Sequence, residues 1–220
     1  MGFIYMGRKI LNSLIRNNNF STSDYWEKRY AKGGDSGVGS LGELAVYKAN
    51  FINEFVISKN VKKIIEFGCG DGNQLSLSEY PNYIGLDVSN TAIQKCIGLF
   101  NSDFEKSFYL YNPYTFSNED SKLFKSDLSI SLDVTYHLIE EKVYELYLNH
   151  LFETSSKYVI IYSVNYDVDP KETPSHIHYR KFSKWVETHK PEWKVFEINH
   201  DEIIKPSGAC DFFVYKKIEE

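Results

Sequence analysis

The sequence predicts an α/β protein: a Rossmann-like, doubly wound sheet of seven strands, mostly parallel and closed by an antiparallel C-terminal hairpin. Three observations predict it. Short β-rich runs alternate with helical patterns along most of the chain, a glycine turn follows the first run, and no helix separates the last two.

Residues 22–58 read as a mostly helical lead-in, interrupted by "KGGDSGVGSLG" at 32–42. Strand-like runs follow at 61–67, 82–88, 106–111, 128–134, 157–164, 193–198 and 211–217. Helical patterns occupy 90–100, 140–154 and 180–189; in the second, Val143, Leu146, Tyr147, His150 and Leu151 recur at helical spacing. Strands separated by helices form βαβ units and a parallel sheet. The final two runs are joined by "NHDEIIKPSGAC", with no helix of useful length, so they pair as an antiparallel hairpin at the sheet's edge. The 220 residues read as one domain, with 1–58 leading into a core at 59–220.

Composition narrows the function. Hydrophobic residues make up 42% and aromatics 16%, which describes a packed globular protein. A formal net charge of −5 and the absence of a Lys/Arg stripe argue against a nucleic-acid partner. Cys69, Cys96 and Cys210 are scattered and odd in number, which fits a reducing compartment. No run approaches the roughly 18 apolar residues of a membrane span, and the first residues lack a secretory h-region. Met1-Gly2 is followed at position six by Met6, which does not suit myristoylation. The expectation is a cytoplasmic protein with no stable membrane insertion. Within 1–16, Ile4, Ile10, Leu11, Leu14 and Ile15 share one helical side beside Arg8, Lys9 and Arg16. Packing on a partner subunit, as in a homodimer, or on the domain itself is favoured over a membrane surface.

The chemistry concentrates at "IIEFGCGDGN", residues 64–73. Glycines after a buried strand permit close backbone approach to a ligand at the carboxyl end of a sheet. The spacing is G-x-G-x-G, unlike the G-x-G-x-x-G of dinucleotide sites, and carboxylates flank it at Glu66 and Asp71. Placing a phosphate about 4 Å from a carboxylate costs on the order of 4 kcal/mol at an effective dielectric of 20. A cationic ligand gains instead. S-adenosylmethionine carries a sulfonium, an α-ammonium and a ribose, and Asp87, 19 residues after Gly68, suits the ribose hydroxyls.

"IIEFGCGDGN" followed by "YIGLDVS" resembles the first two motifs of class I S-adenosylmethionine-dependent methyltransferases, over roughly residues 60–217. "YWEKRYAKGGDSGVGSLGELAVYKANFINEFV", "SLDVTYHLIEEKVYELYLNHLF" and "HIHYRKFSKWVE" are similar to methyltransferases of bacterial capsule and surface-polysaccharide clusters. Members of that group methylate sugar hydroxyls or decorations such as a phosphoramidate. The resemblance implies S-adenosylmethionine as cofactor, bound by Glu66, Gly68, Gly70, Asp71, Asp87 and Val88, with Asn112 and Leu132 alongside, and Asp133 as both a cofactor-binding and a catalytic candidate. It also implies that 32–42 folds over the methionine end as a lid, bringing Gly33, Gly34 and Ser40 to the cofactor.

Other residues keep two readings. Tyr25, Trp26 and Arg29 precede the lid; Arg29 can pair with the cofactor carboxylate, and Trp26 can equally be core. Cys69 reads as a small buried thiol, since methyl transfer needs no covalent enzyme intermediate. "GGDSGVGS" lacks the G-K-[ST] ending of a phosphate loop, and a plain connector is its bland reading. In "SLDVTYHL", Asp133 ends a strand and Tyr136 and His137 follow; His137 is either the general base for a hydroxyl acceptor or a structural histidine. In "PSHIHYRKF", His176 and His178 alternate beside Arg180 and suit an anionic acceptor better than a metal site. The expected activity is methyl transfer to a small anionic or sugar-like molecule, with no metal. Protein methylation and a non-catalytic cofactor-binding subunit are the alternatives, and no N/D-P-P-Y-type motif points to nucleic acid.

Overall fold

The computed structural model describes residues 20–117, 122–200 and 210–218. The helical side foreseen within 1–16 lies outside the described residues, as does most of the last connection. Seven strands form one sheet: β1 (Ile64–Phe67), β2 (Tyr83–Asp87), β3 (Lys106–Leu110), β4 (Ser126–Leu132), β5 (Ser155–Ser163), β6 (Trp193–His200) and β7 (Asp211–Lys217). Their order is β3-β2-β1-β4-β5-β7-β6. The pairs among β1 to β5 are parallel, and β7 runs antiparallel to both β5 and β6. The antiparallel hairpin lies at the sheet's edge as expected, with β7 on its inner side and β6 outermost.

Chain order reverses between β1 and β4, so their carboxyl ends open a crevice where loops leave in opposite directions. Every residue of β1 and β2 is buried, as strands covered on both faces require. Ile65 and Phe67 join one core, with Leu148 and Leu151; Ile64 joins the other, with Ile52 and Phe55. This is the two-residue alternation of a strand written into two layers.

Among the described residues, five helices flank the sheet: α1 (Thr22–Ala31), α2 (Gly42–Ser58), α3 (Asn90–Leu99), α4 (Glu141–Glu153) and α5 (Phe182–His189). On α4 the buried stripe is Val143, Tyr144, Tyr147, Leu148, Leu151 and Phe152. Leu146 and His150, assigned to that face by spacing, are only half-buried because the stripe turns toward Tyr144 and Phe152. On α2 the buried stripe Ala45, Ala49, Ile52, Phe55 and Val56 includes a lysine, Lys48, one turn after Ala45.

Candidate active site

A cavity of about 460 Å³ opens at the carboxyl ends of β1, β2 and β4. Glu66, Gly68 and Gly70 line it from β1 and its turn, Asp87 and Val88 from β2, and Asn112 from the loop after β3. Leu132, Asp133 and His137 line it from β4 onward, and Trp26 and Ser40 from the lead-in. The remaining expected residues, Tyr25, Arg29, Gly33, Gly34, Asp71, Tyr136, His176, His178 and Arg180, do not line it.

The glycine turn is built as its composition requires. Gly68, Gly70 and Gly72 have φ of 83°, 59° and 83°, in the left-handed region that disfavours side chains. The turn leads to a single 3₁₀ turn at Leu75–Leu77, not to an α-helix, so the helix N-terminus that would seat a pyrophosphate is missing there. The Gly70 N–H donates to Asp87 Oδ2 at 2.9 Å and the Ser89 N–H to Asp87 Oδ1 at 2.8 Å. Burial pushes Asp87 up to about 6 despite these bonds. Glu66 accepts from the Tyr83 hydroxyl at 2.5 Å, and burial pushes it up to about 7. Cys69 is buried, and its contact with Cys96 and its burial raise the thiol well above the ordinary range, so it stays protonated.

The lead-in covers the cavity and is tied to the loops after β1, β2 and β4. After β1, Ser36 donates to Asp71 Oδ1 at 2.7 Å. After β2, Glu27 accepts from Ser89 Oγ at 2.6 Å, Thr91 Oγ1 at 2.6 Å and the Thr91 N–H at 3.1 Å, which caps α3. After β4, Glu140 accepts from the Thr22 N–H at 2.9 Å and from its hydroxyl. Four expected cofactor contacts serve this architecture instead. Asp71 holds the loop through Ser36, and its carboxylate is turned from the cavity. Arg29 donates to the Asp35 carbonyl at 2.7 Å and to Asp35 Oδ1 at 3.0 Å, a partner six residues away that competes with any ligand. Gly33 and Gly34 end α1, their N–H groups donating to Tyr30 and Arg29 carbonyls at 3.0 Å each.

At the end of β4, Asp133 adopts φ 59°, unusual for a residue with a Cβ. Its Oδ2 is 2.6 Å from Lys48 Nζ, and its Oδ1 accepts from the Tyr136 hydroxyl at 2.9 Å. A Cβ on Gly39 would come within 2.7 Å of Asp133 Oδ2, so the glycine loop closes directly over this carboxylate. Lys48 escaped the sequence reading, although its place within the apolar stripe of α2 was a usable signal. Gln74 escaped as well, with no pattern to mark it.

His137 lies beside Trp26, ring centroids 5.0 Å apart and edge-on. Its Nδ1 is 2.9 Å from the His176 carbonyl, which only accepts, so Nδ1 carries the hydrogen and Nε2 is the free acceptor. Burial lowers its pKa to about 4. His176 stacks on Tyr25 at 5.0 Å and props His137 from behind. Arg180 donates to the Leu138 carbonyl at 2.7 Å, pairs with Glu141 at 3.0 Å and covers the Tyr144 ring. His178 faces Arg180, Glu141 and Asp167, so the two alternating histidines do not share a ligand. Among the described residues, no three His, Cys, Asp or Glu side chains gather as a metal site needs.

No family model and no curated protein matches the sequence. Solved structures do match. The N-methyltransferase NodS from Bradyrhizobium japonicum WM9, with S-adenosylhomocysteine, superposes at a TM-score of 0.68 and 14% identity, over 91% of this chain and 100% of that one. The fold is that of S-adenosylmethionine-dependent methyltransferases. Magnesium protoporphyrin IX methyltransferase (ChlM) from Synechocystis PCC 6803, with bound S-adenosylmethionine, gives 0.65 at 10% identity, over 91% and 99%. The methyltransferase domain of the bacterial CtHen1-C gives 0.63 at 19% identity, over 79% and 98%. At such identities the likeness is one of methyltransferase fold, and the acceptors differ among these neighbours.

Proposed function

We propose that this chain is an S-adenosylmethionine-dependent methyltransferase acting on a small molecule, an uncharged hydroxyl compound of sugar type. The observation that carries it is Asp87: a buried carboxylate on the cavity wall, fixed by two backbone N–H groups and facing a glycine turn with no phosphate seat. The residues present fit the cofactor, since the cavity offers acids for its hydroxyls and cationic groups and enough volume for a ligand of that size.

When bound, S-adenosylmethionine supplies an electrophilic methyl group. In this reading Asp87 holds the ribose, and the glycine turn lets the backbone come close. Trp26 and the loop above Asp133 exclude water. His137 offers Nε2 to the acceptor's proton, held in the right tautomer by the His176 carbonyl. In-line displacement at carbon is chiefly a matter of alignment, which these rigid ties provide.

The charge around the cavity favours the sugar-like acceptor over the anionic one. Glu66, Asp87 and Glu140 line it beside an Asp133 already paired with Lys48, and among the described lining residues there is no lysine or arginine. A phosphate 5 Å from one such carboxylate is opposed by about 3 kcal/mol per charge at an effective dielectric of 20. The capsule or surface-polysaccharide setting rests on the sequence resemblance, and a cytoplasmic place of work on the scattered, unpaired spacing of the three cysteines. No helix among the described residues is long and apolar enough to cross a membrane.

Two measurements test this. Isothermal titration should show saturable binding of S-adenosylmethionine and S-adenosylhomocysteine; absence of both sinks the reading. A screen of sugars, activated sugars and their phosphate esters should release S-adenosylhomocysteine preferentially with the neutral compounds. Binding without release anywhere in the screen favours the non-catalytic subunit.

A further inference from the structure

At the amino ends of the parallel strands, the hairpin side of the sheet carries lysines without counter-charges. Lys194 on β6 and Lys216 on β7 are directly opposite one another in the antiparallel ladder, and Lys216 also stands opposite Tyr158 on β5. Directly opposite residues share a face, and like charges paired in this way disfavour a sheet. Tyr158 packs edge-on against Phe55 of α2, ring centroids 5.2 Å apart, so both lysines lie on the α2 face. Lys59, which follows α2, joins them. Its Nζ is 4.8 Å from the centre of the Phe196 ring, and that ring is 6.1 Å from Tyr158. Among the described residues none of these three lysines has an ion-pair partner, whereas Lys106, Lys157 and Lys190 each hold a carboxylate. Glu197, the one acid of β6, sits opposite Val214.

Apolar side chains stand among the lysines. Phe196 is 45% exposed, and Ile57, two residues before Lys59, is 70% exposed. Glu66, Asp87 and Glu140 line the cavity at the other end of the strands, so the net charge of −5 is unevenly spread. A purely ionic partner, such as an acidic peptide, would leave Phe196 and Ile57 in water. The interface of an anionic bilayer takes both kinds of group, ammonium ions among its headgroups and apolar side chains at the acyl boundary.

We propose that this face docks the protein reversibly on an anionic lipid surface, with Lys59, Lys194 and Lys216 on the headgroups and Phe196 and Ile57 at the acyl boundary. The cavity, at the opposite end of the strands, then opens toward solution. Each lysine adds about fivefold to partitioning onto a surface rich in anionic lipid, and the attraction fades within a Debye length, about 8 Å at physiological salt. Such binding is an equilibrium, not an anchor.

Vesicle co-sedimentation of the full chain tests it, with equal parts of phosphatidylglycerol and phosphatidylcholine set against phosphatidylcholine alone. The wild type should pellet with the anionic vesicles at low salt, be released as salt rises, and stay in solution with the neutral ones. Lys194→Gln and Lys216→Gln should each weaken the association about fivefold. Phe196→Gln should weaken it as well. The two lysine variants should unfold at no lower temperature than the wild type, since each relieves a like-charge pair, so lost binding is not lost folding. A wild type that pellets with neither vesicle, or equally with both, overturns the proposal without any variant. Undiminished pelleting of the two lysine variants overturns it by assigning the binding to another surface. Undiminished pelleting of Phe196→Gln, with soluble polyglutamate displacing the protein from vesicles, would mean an acidic protein partner and overturns it too.

Discussion

Donor binding should depend on pH, and Asp87 sets where. Burial raises its carboxyl from 3.8 to about 6 in the ligand-free protein, while contact with ribose hydroxyls requires the ionised form. At pH 5, one unit below that value, roughly one molecule in eleven has Asp87 ionised, so the dissociation constant should rise about tenfold from its value at pH 8. That corresponds to about 1.4 kcal/mol. Titrating S-adenosylhomocysteine by calorimetry at half-unit steps from pH 5 to 8 reads the slope directly. Asp87→Asn should be weak and flat throughout, whereas Glu66→Gln should keep the slope. A flat wild-type profile, or an unchanged slope in Asp87→Asn, would refute the reasoning. Folding carries the opposite sign: a raised carboxyl favours the ligand-free fold at low pH, and that contribution is lost as pH climbs from about 4 through 6.

Lys48→Met should lower stability by about 2–4 kcal/mol in urea titration, because it leaves Asp133 without its buried cation; an unchanged midpoint would show that the pair is dispensable. Glu27→Ala removes the cap that joins α1 to α3, and S-adenosylhomocysteine should then leave about five- to tenfold faster in stopped flow, from a loss of about 1 kcal/mol. His137→Ala should cut turnover roughly 10²–10⁴-fold with little change in donor affinity. Any pH limb belonging to His137 should fall near 4, not near the ordinary 6.5, since the buried ring is neutral above that. Activity that rises through pH 6.5 and loses that rise in His137→Asn would show the ring to be more basic than its burial allows. His178→Ala should leave both kcat and KM within twofold, and a rise in KM would return it to the acceptor site.

The sheet was legible because its inner strands are short, rich in β-branched and aromatic residues and set off by turns, as at β1 and β2. Helices between the strands then called for parallel pairs, and the lack of one before the last strand for a hairpin. The cavity wall was legible where the first strands end, as at Gly68, Gly70 and Asp87, which line it. What escaped were side chains whose partners are distant in sequence. Arg29 looked available because its partner Asp35 sits in a loop whose shape no pattern gives. His176 and Arg180 looked like ligands because alternation describes an extended segment, whereas here the chain folds back to brace His137 and the loop ahead of α4. Lys48 was readable in principle: an apolar stripe interrupted by a charge calls for a counter-charge, and Asp133 was already under suspicion. Gln74 offered nothing, since its bond to the Ala45 carbonyl exists only once the turn and α2 are in place.

The bond between Lys48 and Asp133 also bears on where this chain can be divided. A polypeptide starting at residue 59 would retain every strand and α3 to α5, and would still present a half-buried carboxylate to the space that α2 fills. The segment before the first strand is thus not an accessory that can be trimmed or exchanged freely. Grafting the lead-in of another protein with this fold onto this sheet would succeed only if the incoming helix brought its own cation to that position, or if Asp133 were changed with it. Natural recombination faces the same restriction, so the residues at these two positions are expected to travel together.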